Sequence, residues 1–328
     1  MSDHNKKLAD MIILSREKEE FKKMKTIMKK TLCLLIGLFI LFSINCYADE
    51  TLTAQQKKAE KWFKKAERAD TLMLKIEYYT KAIEIDPNFA NAYNNRGLAY
   101  SSIFGKYQKA IEDYTKAIEI DPNFANAYNN RGIAYSSKLH QYQKAIDDYT
   151  KVIEIDPNFA NVYNHRGSAY SKLHQYQKAI EDYTKAIELD PKEAKAYNNR
   201  GLTYSIHLGE HQKAIDDYTK AIEIDPNFAN AYNHRGIAYN GLGEYQKAID
   251  DYTKAIEIDP KNSPAYSNRG FAYARQGSIT AACDDFYQAG ILYLKQNNKT
   301  HALEYVDRIK NADPSSPLIN KLMDQINK

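Results

Sequence analysis

Residues 90–122 read ANAYNNRGLAYSSIFGKYQKAIEDYTKAIEIDP, and close copies of this stretch follow one another along most of the chain. A glycine lies ten residues after the proline of six Asp-Pro dipeptides. The prolines of these dipeptides are 34 or 35 residues apart, at Pro87, Pro122, Pro157, Pro191, Pro226 and Pro260. Self-similarity at a fixed period of this length is typical of a repeat array, in which each unit packs on the next.

The residue pattern of each copy predicts two helices. Tyr93, Gly97 and Tyr100 are spaced i, i+4 and i+7, so they share one face of a first helix. The second helix has the same spacing at Ala110, Tyr114 and Ala117. Because a glycine inside a helix costs about 1 kcal/mol relative to alanine, its recurrence indicates that the second helix approaches closely. Comparison of the longer and shorter copies places the one-residue difference in the turn between the two helices.

The pattern Tyr93-x-x-Arg96-Gly97-x-x-Tyr100, followed by Ala110, Tyr114, Ala117 and Pro122, resembles the tetratricopeptide repeat. The resemblance implies an all-α, right-handed superhelical solenoid of helix-turn-helix repeats that binds proteins, with no catalytic residue and no cofactor. Six repeats, numbered 1 to 6 below, are predicted at 90–124, 125–159, 160–193, 194–228, 229–262 and 263–296.

The ends of the array predict caps, since a terminal repeat lacks a neighbour on one side. Residues 49–89 keep only the second-helix pattern and form a degenerate N-terminal cap. Residues 297–328 form a degenerate seventh unit and a capping helix. The apolar face predicted for that helix holds Leu318, Ile319, Leu322, Met323 and Ile326.

Residues 28–48 predict a signal peptide or a short membrane anchor. The apolar run 32–44 follows Lys29 and Lys30 and has 13 residues, fewer than the roughly 20 that a spanning helix needs. Cleavage is expected after Ala48, which would export the protein to a periplasmic or extracellular space. The alternatives are an uncleaved anchor, with the repeats outside the cytoplasm, and a lipoprotein acylated at Cys46. Residues 1–27 are a charged extension, and translation is expected to start at Met24 or Met28.

Composition argues against several classes of function. Residues 49–328 hold equal numbers of basic and acidic residues, so no net positive charge favours nucleic acid. A membrane is expected as a partner only through the N-terminal apolar segment. His207 and His211 are spaced i, i+4 without a third ligand, and Cys283 lies among small apolar residues. No metal site is therefore predicted.

One polar stripe of the first helices is the candidate binding surface, because the resemblance implies that it lines a concave groove. Carboxamides offer a donor and an acceptor to an extended peptide. The stripe holds Asn91, Asn94, Asn95, Asn126, Asn129, Asn130, Asn161, Asn164, His165, Lys195, Asn198, Asn199, Asn230, Asn233 and His234. The other interpretation is a solvated face copied by duplication.

Two functions follow from these patterns. The first is a scaffold or adaptor that binds an extended segment of another protein in the asparagine-lined groove. The alternative is a structural, membrane-tethered component of an envelope or secretion assembly that docks through its convex face or its caps.

Two charged columns predict structural roles. Acid pairs such as Asp147-Asp148 diverge around their helix, and a lysine four residues before the second acid, such as Lys144, is expected to pair with it. Arg96 and its equivalents are expected to pack through their stems and to reach those acids with their guanidinium groups.

Overall fold

The computed structural model describes residues 53–103 and 105–328. The predicted leader lies outside these residues. The described parts of the chain are built from α-helices and two π-helical segments, and they contain no strand. None of the helices in these parts is both long and apolar enough to cross a membrane. The chain divides into two compact units, residues 1–92 and 93–328.

The described part of the first unit is a helix pair, α1 (Ala54–Glu67) and α2 (Leu72–Ile85). Thr53 and Gln56 form a reciprocal capping box that satisfies two backbone N–H groups at the start of α1. The Phe63 ring packs between those of Tyr79 and Phe89, at centroid distances of 5.4 and 5.0 Å. Residues 53–92 therefore have an aromatic core of their own.

Residues 93–328 form an all-α solenoid of helix-turn-helix repeats, as predicted. From residue 107 to residue 328, helices adjacent in sequence pack against each other. Helix α3 (Ala90–Ser101) begins before the division between the units. It is followed by α4 (Tyr107–Ile120), α5 (Ala125–Ile133), α6 (Tyr142–Ile155), α7 (Ala160–Lys172), α8 (Tyr176–Leu189), α9 (Ala194–Leu202), α10 (His211–Ile224), α11 (Ala229–Gly241), α12 (Tyr245–Ile258), α13 (Ser263–Gln276), α14 (Ile279–Lys295), α15 (Lys299–Ala312) and α16 (Leu318–Asn327).

The recurring glycine marks a close approach of the two helices of a repeat, which confirms the expectation from the sequence. A Cβ atom added at Gly132 would lie 2.6 Å from Cε1 of the buried Tyr149 ring. The same contact joins Gly97 to Tyr114, Gly167 to Tyr183, Gly201 to Tyr218, Gly236 to Tyr252 and Gly270 to Phe286. The ring fills the space that a larger residue would need.

In repeats 2 and 4, the extra residue lies in the end of the first helix and not in the turn itself. In repeats 2 and 4 that end widens into π-helical segments, Ala134–Lys138 and Thr203–His207. The closing bond is then Gln141 N to Tyr135 O, at 2.9 Å. The shorter repeat 3 closes with Gln175 N to Tyr170 O at the same distance. Widening the helix thus keeps the start of the second helix bonded to the equivalent tyrosine.

The C-terminal end is covered by helix α16. Leu322 is fully buried, and Cδ2 of this residue would lie 2.7 Å from a Cβ added at Gly290 of α14. Ile326 is also buried, while the partly buried residues that pack against the same core are Leu318, Ile319 and Met323. The predicted apolar face of this helix therefore covers the last core of the solenoid.

Gly132→Ala tests the close approach. The added methyl group has no space beside Tyr149, so we expect the free energy of unfolding to fall by about 1–3 kcal/mol. Urea unfolding followed by circular dichroism measures the change. Ser171→Ala, at a half-buried position of another first helix, is the control and should leave the midpoint nearly unchanged. A Gly132→Ala protein as stable as the wild type would contradict this packing.

Candidate functional site

The predicted stripe separates into three columns that differ in burial. The exposed column consists of Asn91, Asn126, Asn161, Lys195 and Asn230. The central column is buried except for its half-buried second member, and consists of Asn94, Asn129, Asn164, Asn198 and Asn233. The bridging column is half-buried and consists of Asn95, Asn130, His165, Asn199 and His234. Asn91 belongs to the first compact unit and the other members to the second.

The bridging and central columns are joined by hydrogen bonds between neighbouring repeats. Asn130 Nδ2 donates to Asn94 Oδ1 of the preceding repeat at 3.0 Å. Asn199 bonds to Asn164 and Asn268 to Asn233 in the same way, each at 3.0 Å. We call this series the amide ladder. It uses the carboxamide oxygens of the central column to hold one repeat on the next, so each of those oxygens already accepts a hydrogen bond within the protein.

Two rungs of the amide ladder are histidines. Nδ1 of His165 lies 3.3 Å from Asn129 Oδ1, and Nδ1 of His234 lies 2.9 Å from Asn198 Oδ1. Because a carboxamide oxygen only accepts, Nδ1 must carry the proton. Burial lowers the pKa of His234 to about 4. Burial also lowers the pKa of His165, with a further contribution from nearby Lys195. Both rungs are therefore neutral donors at neutral pH.

The arginine column forms a second set of bonds between and within repeats. Arg131 donates from Nε and Nη2 to the two carboxylate oxygens of Asp148, at 2.9 and 2.7 Å. Its Nη1 donates to Thr115 of the preceding repeat at 3.0 Å. The corresponding arginine–aspartate pairs are Arg96–Asp113, Arg166–Asp182, Arg200–Asp217, Arg235–Asp251 and Arg269–Asp285. The expectation that the arginines reach the acids is confirmed.

The lysines were expected to pair with the second acid of each pair, and this prediction is wrong. The second acid, such as Asp217, is buried and bound by arginine. A planar guanidinium meets both carboxylate oxygens at once, which a flexible ammonium does not. Lys213 pairs instead with Glu210 at 2.7 Å, and Lys247 pairs with Glu244.

The exposed column is the part of the stripe without internal partners. The side chains of Asn126, Asn161, Lys195 and Asn230 form no hydrogen bond or ion pair with another described residue. An apolar column lies four residues after the central column on the same helices. Its end members Leu98 and Phe271 are 41% and 45% exposed, and its half-buried members are Ile133, Ser168, Leu202 and Ile237. Several of these pack partly on the cores of their repeats.

The remaining chemically active side chains have structural surroundings. His207 stacks on Tyr176 at a centroid distance of 4.3 Å, whereas His211 Nδ1 lies 3.1 Å from Ser205 Oγ. Cys283 is buried in the C-terminal core, where burial raises the pKa of its thiol. Across residues 53–103 and 105–328, no three His, Cys, Asp or Glu side chains come together in a way that could hold a metal ion.

The histidine rungs predict a pH dependence. Histidine in the unfolded chain titrates near 6.5, and His234 in the folded protein titrates at about 4. The unfolded state binds more protons between these values, so the free energy of unfolding should fall by about 3 kcal/mol as the pH drops through this range.

His234→Asn checks this dependence, because asparagine forms the equivalent rung in other repeats. Urea midpoints measured from pH 7 to pH 4 should decline less steeply in this variant. His140→Asn, in an exposed turn, is the control and should retain the wild-type slope. Equal slopes for wild type and His234→Asn would show that this imidazole titrates normally in the folded protein.

Comparison with known proteins agrees with this architecture. Two sequence profiles described as tetratricopeptide repeat match residues 125–159, 160–193 and 229–262, and residues 78–112, 182–216 and 251–284. A third, described as TPR repeat, matches residues 105–138 and 206–243. Together the matches extend without a gap over residues 78–284, more than half of the chain. No curated protein matches the sequence.

Solved structures with this fold include a tetratricopeptide repeat protein from Parabacteroides merdae. It is 20% identical, with a TM-score of 0.52, and the match covers 73% of this chain and 99% of that one. Pseudomonas aeruginosa pilF is 19% identical, with a TM-score of 0.50 and coverage of 73% and 98%. YrrB, described as a TPR protein with an unusual peptide-binding site, is 28% identical, with a TM-score of 0.47 and coverage of 57% and 95%. The chain belongs to the tetratricopeptide-repeat family, whose fold supports protein–protein interaction.

Proposed function

We propose that the second compact unit binds an extended segment of another protein along the exposed column of its first helices. The observation that carries this proposal is the contrast between the columns. The central column is buried and bonded within the amide ladder, whereas Asn126, Asn161 and Asn230 are exposed and have no partner among the described residues. Exposed carboxamides without an internal partner can donate hydrogen bonds to a peptide backbone and accept hydrogen bonds from it, whatever the side chains of the peptide.

The amide ladder supports the proposal by fixing the positions of the exposed amides. Each rung joins a first helix to the preceding one, so the members of the exposed column lie on helices that are bonded to one another. Helices that need no rearrangement on binding lose less conformational entropy. The apolar column contributes partly exposed Leu98 and Phe271, which can bury apolar side chains of the ligand.

Replacement of the exposed amides tests the proposal. We expect the variant Asn126→Ala, Asn161→Ala, Asn230→Ala to lose the proteins that co-purify with the tagged wild type after crosslinking in the native host. The fold should survive, because none of these side chains bonds to another described residue. Asn164 and Asn198 are poorer choices, since their loss would also break rungs.

The matched control is the variant Asn123→Ala, Asn158→Ala, Asn227→Ala. These asparagines are exposed, and each lies in the turn three residues before a tested position. The control should retain the wild-type partners. Loss of the same partners from both variants, or from neither, would contradict a role for the exposed column.

The alternative function, a structural component that docks through its caps or convex face, is favoured by one observation. Leu72, Met73 and Leu74 begin helix α2 and are 38%, 69% and 38% exposed. Three consecutive exposed apolar residues are unusual on a surface that contacts only water. Partners that the exposed-column variant retains would therefore point to this cap.

We also propose that the protein is exported and cleaved after Ala48. The support is the apolar run of 13 residues at 32–44, with lysines before it and small residues near its end. N-terminal sequencing of the protein from its native host should give Asp49 as the first residue. A first residue within 1–28 in the membrane fraction would favour the uncleaved anchor.

A further inference from the structure

The first helices of the six repeats carry charge of one sign only. Helices α3, α5, α7, α9, α11 and α13 contain no Asp or Glu, and neither do the two π-helical segments. They do contain an arginine in every repeat, and each of these is neutralised by its aspartate on the second helix. The acidic residues of the repeats are thus confined to second helices and turns.

Three further cations on these six α-helices have no such partner. Lys195 belongs to the exposed column, and Lys172 and Arg275 occupy the position eleven residues after that column on their own helices. All three are exposed. None of them forms an ion pair with another residue that the structure describes. The stripe therefore presents uncompensated positive charge.

The last donor of the amide ladder is a cation. In repeat 6 the central column holds Ser267 in place of asparagine, and there is no seventh first helix of the same kind. Arg308 of α15 takes the place of the next rung, because its Nη1 donates to Ser267 Oγ at 2.9 Å. The first five contacts of the ladder come from neutral side chains, whereas this last one comes from a guanidinium.

The Arg308 guanidinium is held between aromatic rings and has spare donors. Its central carbon lies 4.3 Å from the Tyr305 ring centroid and 5.3 Å from that of exposed Phe271. Its ion pair with Glu304 is long, at 3.7 Å, and the Glu304 side chain is half exposed. By contrast, Nε and Nη2 of Arg269 both donate to Asp285 at 2.8 Å. Arg308 thus lacks the bidentate carboxylate that the repeat arginines have.

We propose that the segment bound by this surface is acidic, and that one of its carboxylates binds Arg308 while a neighbouring apolar side chain covers Phe271. The inference rests on the proposed function and specifies the chemistry of the ligand. A planar guanidinium pairs with both oxygens of a carboxylate, and stacking on aromatic rings orients it for that contact. Lys195, Lys172 and Arg275 attract further acidic side chains along the stripe.

The carboxylate at Arg308 can come from a glutamate or aspartate side chain or from the C-terminus of the segment. Both sources have the same chemistry, and one pair of peptides separates them. The probe is a fluorescein-labelled peptide with four Gly-Leu-Glu triplets, made once with a free C-terminus and once as the C-terminal amide. A Gly-Leu-Gln peptide of the same length is the uncharged control.

Fluorescence anisotropy with the purified chain gives the dissociation constants. We expect the Glu peptide to bind at least about tenfold more tightly than the Gln peptide, as one or more charge-assisted contacts would give. Arg308→Gln should weaken Glu-peptide binding about tenfold and leave Gln-peptide binding unchanged. Weaker binding of the amidated Glu peptide would assign the Arg308 contact to the C-terminus; equal binding would assign it to a side chain.

Replacing Arg308 could also alter the C-terminal cap, so a second variant tests the inference at residues far from that cap in the sequence. The variant Lys172→Ser, Lys195→Asn uses residues that other repeats carry at the same positions, such as Ser137 and Asn161, and should also weaken Glu-peptide binding. Lys220→Ala, on a second helix and paired with Glu223, should bind like the wild type. Equal affinity for the Glu and Gln peptides, no binding of either, or undiminished binding by Arg308→Gln would overturn the inference. The proposed function is judged separately, by the partners that the exposed-column variant loses.

Discussion

The contact between a glycine of the first helix and an aromatic ring of the second sets the geometry on which the rest of each repeat depends. A Cβ at this glycine would fall within 2.6–2.9 Å of the ring carbon Cε1 in every repeat. The helices can therefore approach closely enough for an arginine beside the glycine to reach an aspartate beside the ring, 16 or 17 residues further along the chain. A wider spacing would leave both charges buried without partners, which is costly.

Two networks of polar side chains then hold each repeat against the next. Each arginine from repeat 2 onward donates to a threonine of the preceding repeat, and each rung of the amide ladder joins neighbouring first helices. The stability of such an array is approximately the sum of the intrinsic stabilities of the repeats and the interaction energies between neighbouring repeats. These bonds contribute to the interactions between neighbours. The rungs engage the carboxamides of the central column. The exposed side chains of the first helices form no such bonds and remain available to a partner.

Much of this architecture follows from the sequence, because periodicity identifies residues that recur on one helical face. The glycine and the arginine column both gave correct structural predictions. The choice between lysine and arginine as the partner of the second acid did not follow, since Lys213 and Arg200 are both in reach on spacing alone. Likewise, the sequence does not show that Asn198 is buried and Asn230 exposed, because burial depends on the angle between neighbouring repeats. A contact such as Arg308 to Ser267, between residues far apart in the chain, has no periodic signal at all.

We propose that a protein partner occupies the first-helix surface of the solenoid. The most direct measurement places a photoactivatable crosslinking residue either at Asn126, in the exposed column, or at Lys116, an exposed position on the second helix of repeat 1. Irradiation in the native host, followed by mass spectrometry, identifies the proteins in contact with each site. We expect a discrete crosslinked partner from Asn126 that Lys116 does not give. The same partner from Lys116 alone would contradict it and assign binding to the outer face.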